Sequence, residues 1–159
     1  MMPTARLFHV ALLSATVALA SSAAPAITNA LLAQNTAITA HDAWAREAAA
    51  GRTVTAVFVT VENSGATRRS IVSGKTDVAD TLELHEMKAN GSMMQMSPVK
   101  SIDVPAHGKV ELKPGSLHIM LFGLKKPLTT GDTVKMTLTL DDGTKLSVAA
   151  PVRKMEGMK

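Results

Sequence analysis

The stretch that decides the fold lies at residues 133–152 and reads TVKMTLTLDDGTKLSVAAPV. In its first half, apolar side chains alternate with threonine or lysine, which is the two-residue period of a β-strand with one buried face. Asp142-Gly143 then supplies a dipeptide that favours the tight turn of a β-hairpin. A second run rich in Val and Ala follows, so the stretch predicts two antiparallel strands, Thr133 to Leu140 and Lys145 to Val152.

The rest of the sequence from Ile38 onward follows the same pattern. Short runs rich in Val, Thr, Ile and Leu are broken by turn residues roughly every ten positions, which is typical of an all-β sandwich or barrel. Asn90-Gly91 is a second strong hairpin signal. The other predicted strands are Ile38 to Trp44, Thr53 to Glu62, Arg68 to Ser73, Thr81 to Lys88, Met93 to Pro98, Lys109 to Leu112 and His118 to Leu124.

Residues 1–24 have the features of an export signal with a flexible lead-in. Arg6 supplies a positive charge, Leu7 to Ala20 form an apolar run, and Ala18-Leu19-Ala20 matches a small-residue cleavage pattern. We expect cleavage between residues 20 and 26 and a periplasmic product. The apolar run is shorter than the roughly 20 residues that cross a bilayer, so we expect no membrane insertion of the mature chain. The predicted domain spans residues 38–152, followed by a short disordered tail at 153–159.

Composition argues against several classes of function. The 159 residues include no cysteine, which leaves no residue for a disulfide, a thiolate metal site, a cysteine nucleophile or a lipid-modified cysteine. The net charge of +4 comes from scattered basic residues, and only 3% of the residues are aromatic. This pattern is typical of a solvated surface, and we expect no nucleic-acid partner.

Histidine and methionine are concentrated between Leu84 and Leu124. Thioether sulfur is a soft neutral donor and imidazole a borderline one, so in a chain without thiolates this pairing favours copper(I) over zinc, calcium or magnesium. We therefore expect copper(I) as the bound ion. The residues concerned are His85, Met87, Met93, Met94, Met96, His118 and Met120.

Strand geometry predicts that some of these side chains converge. His118 and Met120 share one face of a strand, about 7 Å apart along the chain. His85 precedes the Asn90-Gly91 turn and Met96 follows it, so a hairpin would bring their two strands together. Four neutral donors from three segments of the chain could then meet at one ion.

The spacing of these four residues resembles the signature of the PCuAC-type periplasmic copper chaperones. Ten residues separate His85 from Met96, twenty-one separate Met96 from His118, and one separates His118 from Met120. The resemblance covers most of residues 38 to 150. Further stretches similar to that family are Asp42-Ala43-Trp44-Ala45-Arg46, Val61-Glu62-Asn63, Met96-Ser97-Pro98-Val99 and Glu111-Leu112-Lys113-Pro114-Gly115.

The resemblance implies a cupredoxin-like Greek-key sandwich that holds copper(I) at one end through His85, Met96, His118 and Met120. It also implies delivery of the ion to the copper sites of cytochrome c oxidase, often beside a thiol-containing partner chaperone. We expect a monomer. Many relatives carry a longer C-terminal tail rich in His and Met, whereas residues 155–159 read MEGMK without histidine. A second copper site in the tail is therefore not expected.

Other histidines and methionines have plainer interpretations. A methionine on a strand is usually core filler, which is our interpretation of Met136 and also of Met87, Met93 and Met94. His41 and His107 are interpreted as surface or satisfied core residues. Trp44 is expected to be a core or rim anchor. Met155 and Met158 are expected to be disordered.

Three hypotheses of function remain at this point. The first is a copper(I) carrier without catalysis, whose affinity should fall below about pH 6 because imidazole binds metal only when neutral and its free pKa is near 6.5. The second is a copper oxidoreductase or electron carrier, which is weakened because a blue-copper centre needs a cysteine. The third is an interaction module of the cell envelope that binds no metal.

Overall fold

The computed structural model describes residues 37–155, and within them the regular structure consists of ten β-strands. In this part of the chain no helix is long and apolar enough to span a membrane. The strands are β1 (Ile38–Arg46), β2 (Val54–Asn63), β3 (Arg69–Thr76), β4 (Ala79–Asn90), β5 (Met93–Pro98), β6 (Ile102–Val104), β7 (Gly108–Leu112), β8 (His118–Leu124), β9 (Thr133–Leu140) and β10 (Lys145–Arg153).

The strands form two antiparallel sets that are joined at one seam. The first set has the order β5-β4-β8-β2-β1, with β7 also paired to β2, and the second has the order β10-β9-β3-β6. The seam is a short parallel pairing of β1 with β10, through Ala45 with Val152 and Arg46 with Arg153. Strand β5 therefore lies at one end of the strand order, with a pairing partner on one side only.

One hydrophobic core lies between the two sets, because the inward faces of both contribute to it. Alternate residues of β2, β8 and β9 point into it and are almost fully buried, as the two-residue period requires. These inward residues are Val57, Val59, Val61, Ile119, Leu121, Val134, Met136, Leu138 and Leu140. The residues between them on β2 and β8, which include Phe58, His118 and Met120, consequently lie on the opposite, outer face of the sheet.

The all-β prediction is confirmed, and nine of the ten strands were predicted from the sequence. The strand that was missed is β6, which is only three residues long. Both predicted hairpin turns are present, and Gly91 and Gly143 adopt the positive φ angles of 63° and 83° that these turns need. Residues 1–24, with the predicted export signal, and Met158 lie outside the described residues.

The strand ends near the site differ slightly from the prediction. Strand β10 continues to Arg153, one residue past the predicted domain boundary. Gly123, near the end of β8, has a φ of 69°. A Cβ at this position would collide with the carboxylate of Asp80, so glycine is required here for both backbone conformation and space.

Candidate metal centre

The register of three neighbouring strands brings the predicted donor residues together. His85 on β4 lies directly opposite His118 on β8, and their ring centroids are 5.9 Å apart. Met96 on β5 lies opposite Met87, which is two residues after His85 on the same face of β4. Met120 follows His118 on the same face of β8. The four residues thus share the outer face of the sheet formed by β5, β4 and β8.

The ring of His118 is held in one tautomer by the backbone. Its Nδ1 is 2.8 Å from the carbonyl oxygen of Ser116. A carbonyl only accepts, so Nδ1 carries the proton and the neutral ring leaves a lone pair on Nε2. That nitrogen is 3.0 Å from the thioether sulfur of Met96. Two lone-pair donors thus face each other with no proton between them, which is the arrangement that a soft cation would stabilise.

His85 is more deeply enclosed than a surface histidine would be. The residue is 7% exposed, and its Nε2 is 2.9 Å from a carboxylate oxygen of Glu83. A carboxylate accepts, so the neutral ring donates from Nε2 and leaves its lone pair on Nδ1. That Nδ1 atom is buried and has no hydrogen-bond partner in the part of the chain that the structure describes. An unpaired buried nitrogen is costly, and a bound cation would remove the cost.

The two candidate thioether donors differ in their exposure to solvent. Met120 is 8% exposed, whereas Met96 is 46% exposed. Both line a cleft of about 610 Å³ together with Met87 and His118. Met96 is therefore in contact with solvent, whereas Met120 is enclosed. An exposed donor suits an ion that must both enter and leave the site.

Aromatic rings support the two imidazoles from the sides. Phe58 is buried on the outer face of β2, with its ring centroid 6.4 Å from that of His118 and 4.5 Å from that of Trp44. The ring of Phe122 lies 5.9 Å from that of His85. These contacts restrict the rotation of both histidines and keep water from their buried sides. Trp44 is an anchor of this outer face, in agreement with the sequence interpretation.

The donor set is electrically neutral, and the charges lie at its rim. Among residues 37–155 no group of three or more His, Cys, Asp or Glu is arranged to hold a metal. Charged residues do line the cleft that contains the thioethers: Arg46, Glu47, Arg52 and Lys154. The cleft therefore combines soft, uncharged donors with mainly basic charged residues, a set that does not suit hard divalent cations.

Perturbed pKa values occur on other strands and turns of the domain. The hydroxyl of Ser70, and then Arg68, lower the pKa of Asp103. Hydrogen bonds from the backbone of Thr129 and of Thr144 lower the pKa values of Asp132 and Asp142, respectively, and Lys109 lowers that of Glu111. The neighbouring Asp42 raises the pKa of His41. These groups bear on the acid stability of the fold and not on the donor set.

The plainer sequence interpretations are partly confirmed. Met136 is 4% exposed and belongs to the core, and His41 and His107 lie at the surface, away from the donor set. The interpretation of Met93 and Met94 as core filler is wrong, because both are exposed on β5. The same interpretation fails for Met87, which is half-buried on the outer face and lines the cleft.

Two features of the site were missed by sequence reasoning. Glu83 contacts His85, and Phe58 packs beside His118. The signal for Glu83 was its position two residues before His85, which places both side chains on one face of β4. Met155, expected to be disordered, is described here at the edge of the cleft, beside Lys154.

Residues 38–152 match the family model described as "Putative lipoprotein LpqE-like". The chain is also 38% identical over 116 residues to "Putative lipoprotein Lxx21020" of Leifsonia xyli subsp. xyli (strain CTCB07), covering 72% of this chain and 69% of that protein. This chain belongs to the LpqE-like family. The matched residues coincide almost completely with the strands described above, so the family assignment concerns the domain that carries the candidate metal centre.

Solved structures similar to this LpqE-like chain include PCuAC domains. The solution structure of CuI-DR1885 from Deinococcus radiodurans is 34% identical, with a TM-score of 0.58 over 82% of this chain and 87% of that chain. The copper-bound PCuAC domain from PmoF2 has a TM-score of 0.62 over 75% of this chain and 94% of that chain, at 20% identity. At that identity the second likeness shows the fold alone. The resemblance to the PCuAC-type copper chaperone family is confirmed.

Proposed function

We propose that this protein is an exported carrier that binds one copper(I) ion through His85, Met96, His118 and Met120. The observation that carries the proposal is the 3.0 Å approach of His118 Nε2 to Met96 Sδ. His85, the register partner of His118, adds a buried Nδ1 with no hydrogen-bond partner among the described residues. Neutral nitrogen and thioether donors in a protein without thiolates select copper(I). The copper(I) form named for the relative from Deinococcus radiodurans supports the same ion.

Release of the ion is as important to a carrier as its capture. Met96 lies on the strand β5 that has only one pairing partner, and its side chain is half exposed. An incoming thiolate or imidazole can approach from the cleft on that side and displace Met96 first. The ion would then remain held by the two imidazoles and Met120 until the recipient completes its own coordination. The recipient in this proposal is a copper site of cytochrome c oxidase or a thiol-containing chaperone.

The remaining parts of the proposal concern the frame around the site. The two antiparallel strand sets and their shared core are consistent with a cupredoxin-like Greek-key sandwich. Export through the segment 1–24 and a periplasmic location are supported by the word lipoprotein in the names of the family and of the Leifsonia xyli relative. Attachment by a lipid on cysteine is not extended to this chain, because its 159 residues contain none. The protein acts as a carrier and not as an enzyme.

Anaerobic titration of the protein with copper(I), followed by absorption-edge spectroscopy, tests the proposal. We expect one ion per chain with two sulfur and two nitrogen donors, and loss of retention against a chromophoric chelator in His118→Ala. His41→Ala is the matched control, because His41 is a histidine at the surface of β1. A chain that retains no copper(I) would leave the metal-free envelope module as the better reading, whereas a stable copper(II) form with reversible cycling would favour an electron carrier.

A further inference from the structure

Among the described residues, Glu83 is an acidic residue that contacts a predicted donor directly, and no step of the carrier proposal uses it. It lies two residues before His85 on the same face of β4 and directly opposite Met120 of β8. Its side chain is 43% exposed, so its carboxylate reaches inward from the rim to the nearly buried ring of His85. A carboxylate that accepts from a ring N–H fixes both the tautomer and the orientation of a metal-binding histidine.

The rings of His85 and His118 form hydrogen bonds through different nitrogens, so their neutral tautomers differ. In His118 the Ser116 carbonyl occupies Nδ1, which leaves Nε2 as the nitrogen with a free lone pair. In His85 the Glu83 carboxylate occupies Nε2, which leaves the buried and unpartnered Nδ1. The partner of His118 is a backbone carbonyl, which a substitution of Ser116 would leave in place. The partner of His85 is the side chain of Glu83, which a single substitution removes.

We infer that Glu83 is a positioning residue that holds His85 as the Nε2–H tautomer, so that His85 offers Nδ1 to the ion while His118 offers Nε2. Only the statement that Nδ1 binds the ion rests on the proposed copper(I) function. The tautomer is a property of the metal-free protein. His85 is only 7% exposed, so its unpaired Nδ1 forgoes a hydrogen bond in the metal-free protein. The same nitrogen is thereby available to the ion.

The first test is nitrogen-15 NMR of the imidazole rings in the metal-free protein. The wild type should show a proton on Nε2 of His85 and on Nδ1 of His118. Glu83→Gln keeps an oxygen acceptor and should keep this pattern, whereas Glu83→Ala should give a mixture of tautomers at His85 and leave His118 unchanged. A proton on Nδ1 of His85 in the wild type would overturn the inference, whether or not copper binds.

The second test adds copper(I), which is diamagnetic and leaves the rings observable. The Nδ1 signal of His85 should shift on loading while Nε2 retains its proton. Glu83→Ala should weaken copper(I) binding by about 10- to 100-fold in a chelator competition, with Glu83→Gln closer to the wild type. Glu86→Ala is the matched control, because Glu86 lies on the same strand but points to the other face and pairs with Lys88.

The outcomes separate the two proposals. Tighter binding by Glu83→Ala would show that the carboxylate competes with the ion for Nε2 and would overturn the inference while leaving the carrier intact. Unchanged affinity, or loss of the Nε2 proton on loading, would also overturn it. If the wild type retained no copper(I), the carrier proposal would fail, and the metal-free spectra would still decide whether Glu83 sets the tautomer of His85.

Discussion

Replacing Met120 by leucine separates the thioether donor from the packing of the side chain. Met120 and Met136 are both nearly buried strand methionines, 8% and 4% exposed, but Met120 lies on the outer face beside His118 and Met136 lies in the core. Exchange of methionine for leucine conserves volume and costs less than about 1.5 kcal/mol. For a domain of this size that is a fall in Tm of roughly 6 °C or less, and we expect it in both variants.

The expected loss of copper(I) affinity is much larger in one variant than in the other. Removing a group that only orients a metal ligand costs about 10- to 100-fold, so removing one of four donors should cost at least about 100-fold. This corresponds to about 2.8 kcal/mol at about 1.4 kcal/mol per factor of ten. Met120→Leu should therefore lose copper(I) to the chelator, while Met136→Leu should retain it.

The assay is an anaerobic competition between each variant and a chromophoric copper(I) chelator, with urea unfolding of the metal-free proteins measured in parallel. Equal urea midpoints and a hundredfold gap in copper(I) affinity are the expected result. Affinity of Met120→Leu within a factor of ten of the wild type would refute the assignment of Met120 as a donor. Equal losses in both variants would show that the binding depends on packing alone.

Three further predictions concern the stability of the fold. Phe58→Ala removes a buried ring from beside His118 and should cost about 3 to 5 kcal/mol in urea unfolding; a cost below about 1 kcal/mol would contradict the packing described. Gly123→Ala should destabilise the fold by more than about 1 kcal/mol because of its positive φ and the contact with Asp80, whereas a wild-type Tm would show that β8 can relax. Because the pKa of Asp103 is lowered in the folded protein, its contribution to stability is complete above the unfolded pKa near 4 and is lost as pH falls through the lower folded value; Ser70→Ala should reduce this contribution, and an unchanged acid unfolding profile would speak against it.

Much of the fold could be predicted because its signals are local. Alternation in residues 133–140 and the glycines at 91 and 143 determine strands and turns within a few residues of themselves. Strand β6 could not be found in this way, since three residues between Ser101 and Pro105 are too few to show a period. The packing of two strand sets around one core follows from contacts between distant segments, which alternation in one strand does not specify.

The site was predicted less completely than the fold. Strand alternation placed His118 with Met120, and the hairpin placed His85 near Met96. The direct pairing of β4 with β8, which sets His85 opposite His118, joins residues 33 positions apart in the sequence and needed the structure. Glu83 was not singled out, because a single carboxylate on a strand is usually a solvated surface charge. Met93 and Met94 were misjudged because β5 is an edge strand with little packed against it.

The unequal exposure of the two thioethers also determines how the site would respond to oxidative damage. Peroxide converts methionine to its sulfoxide, a polar group whose sulfur is a poorer donor to a soft cation than that of the thioether. Met96, half exposed on the edge strand, is open to this reaction, whereas Met120 is shielded by the surrounding side chains. Peroxide would therefore disable one of the proposed donors while the hydrophobic interior stays intact. Because sulfoxide reductases reverse the lesion, such damage to an exposed methionine can be repaired without unfolding the protein.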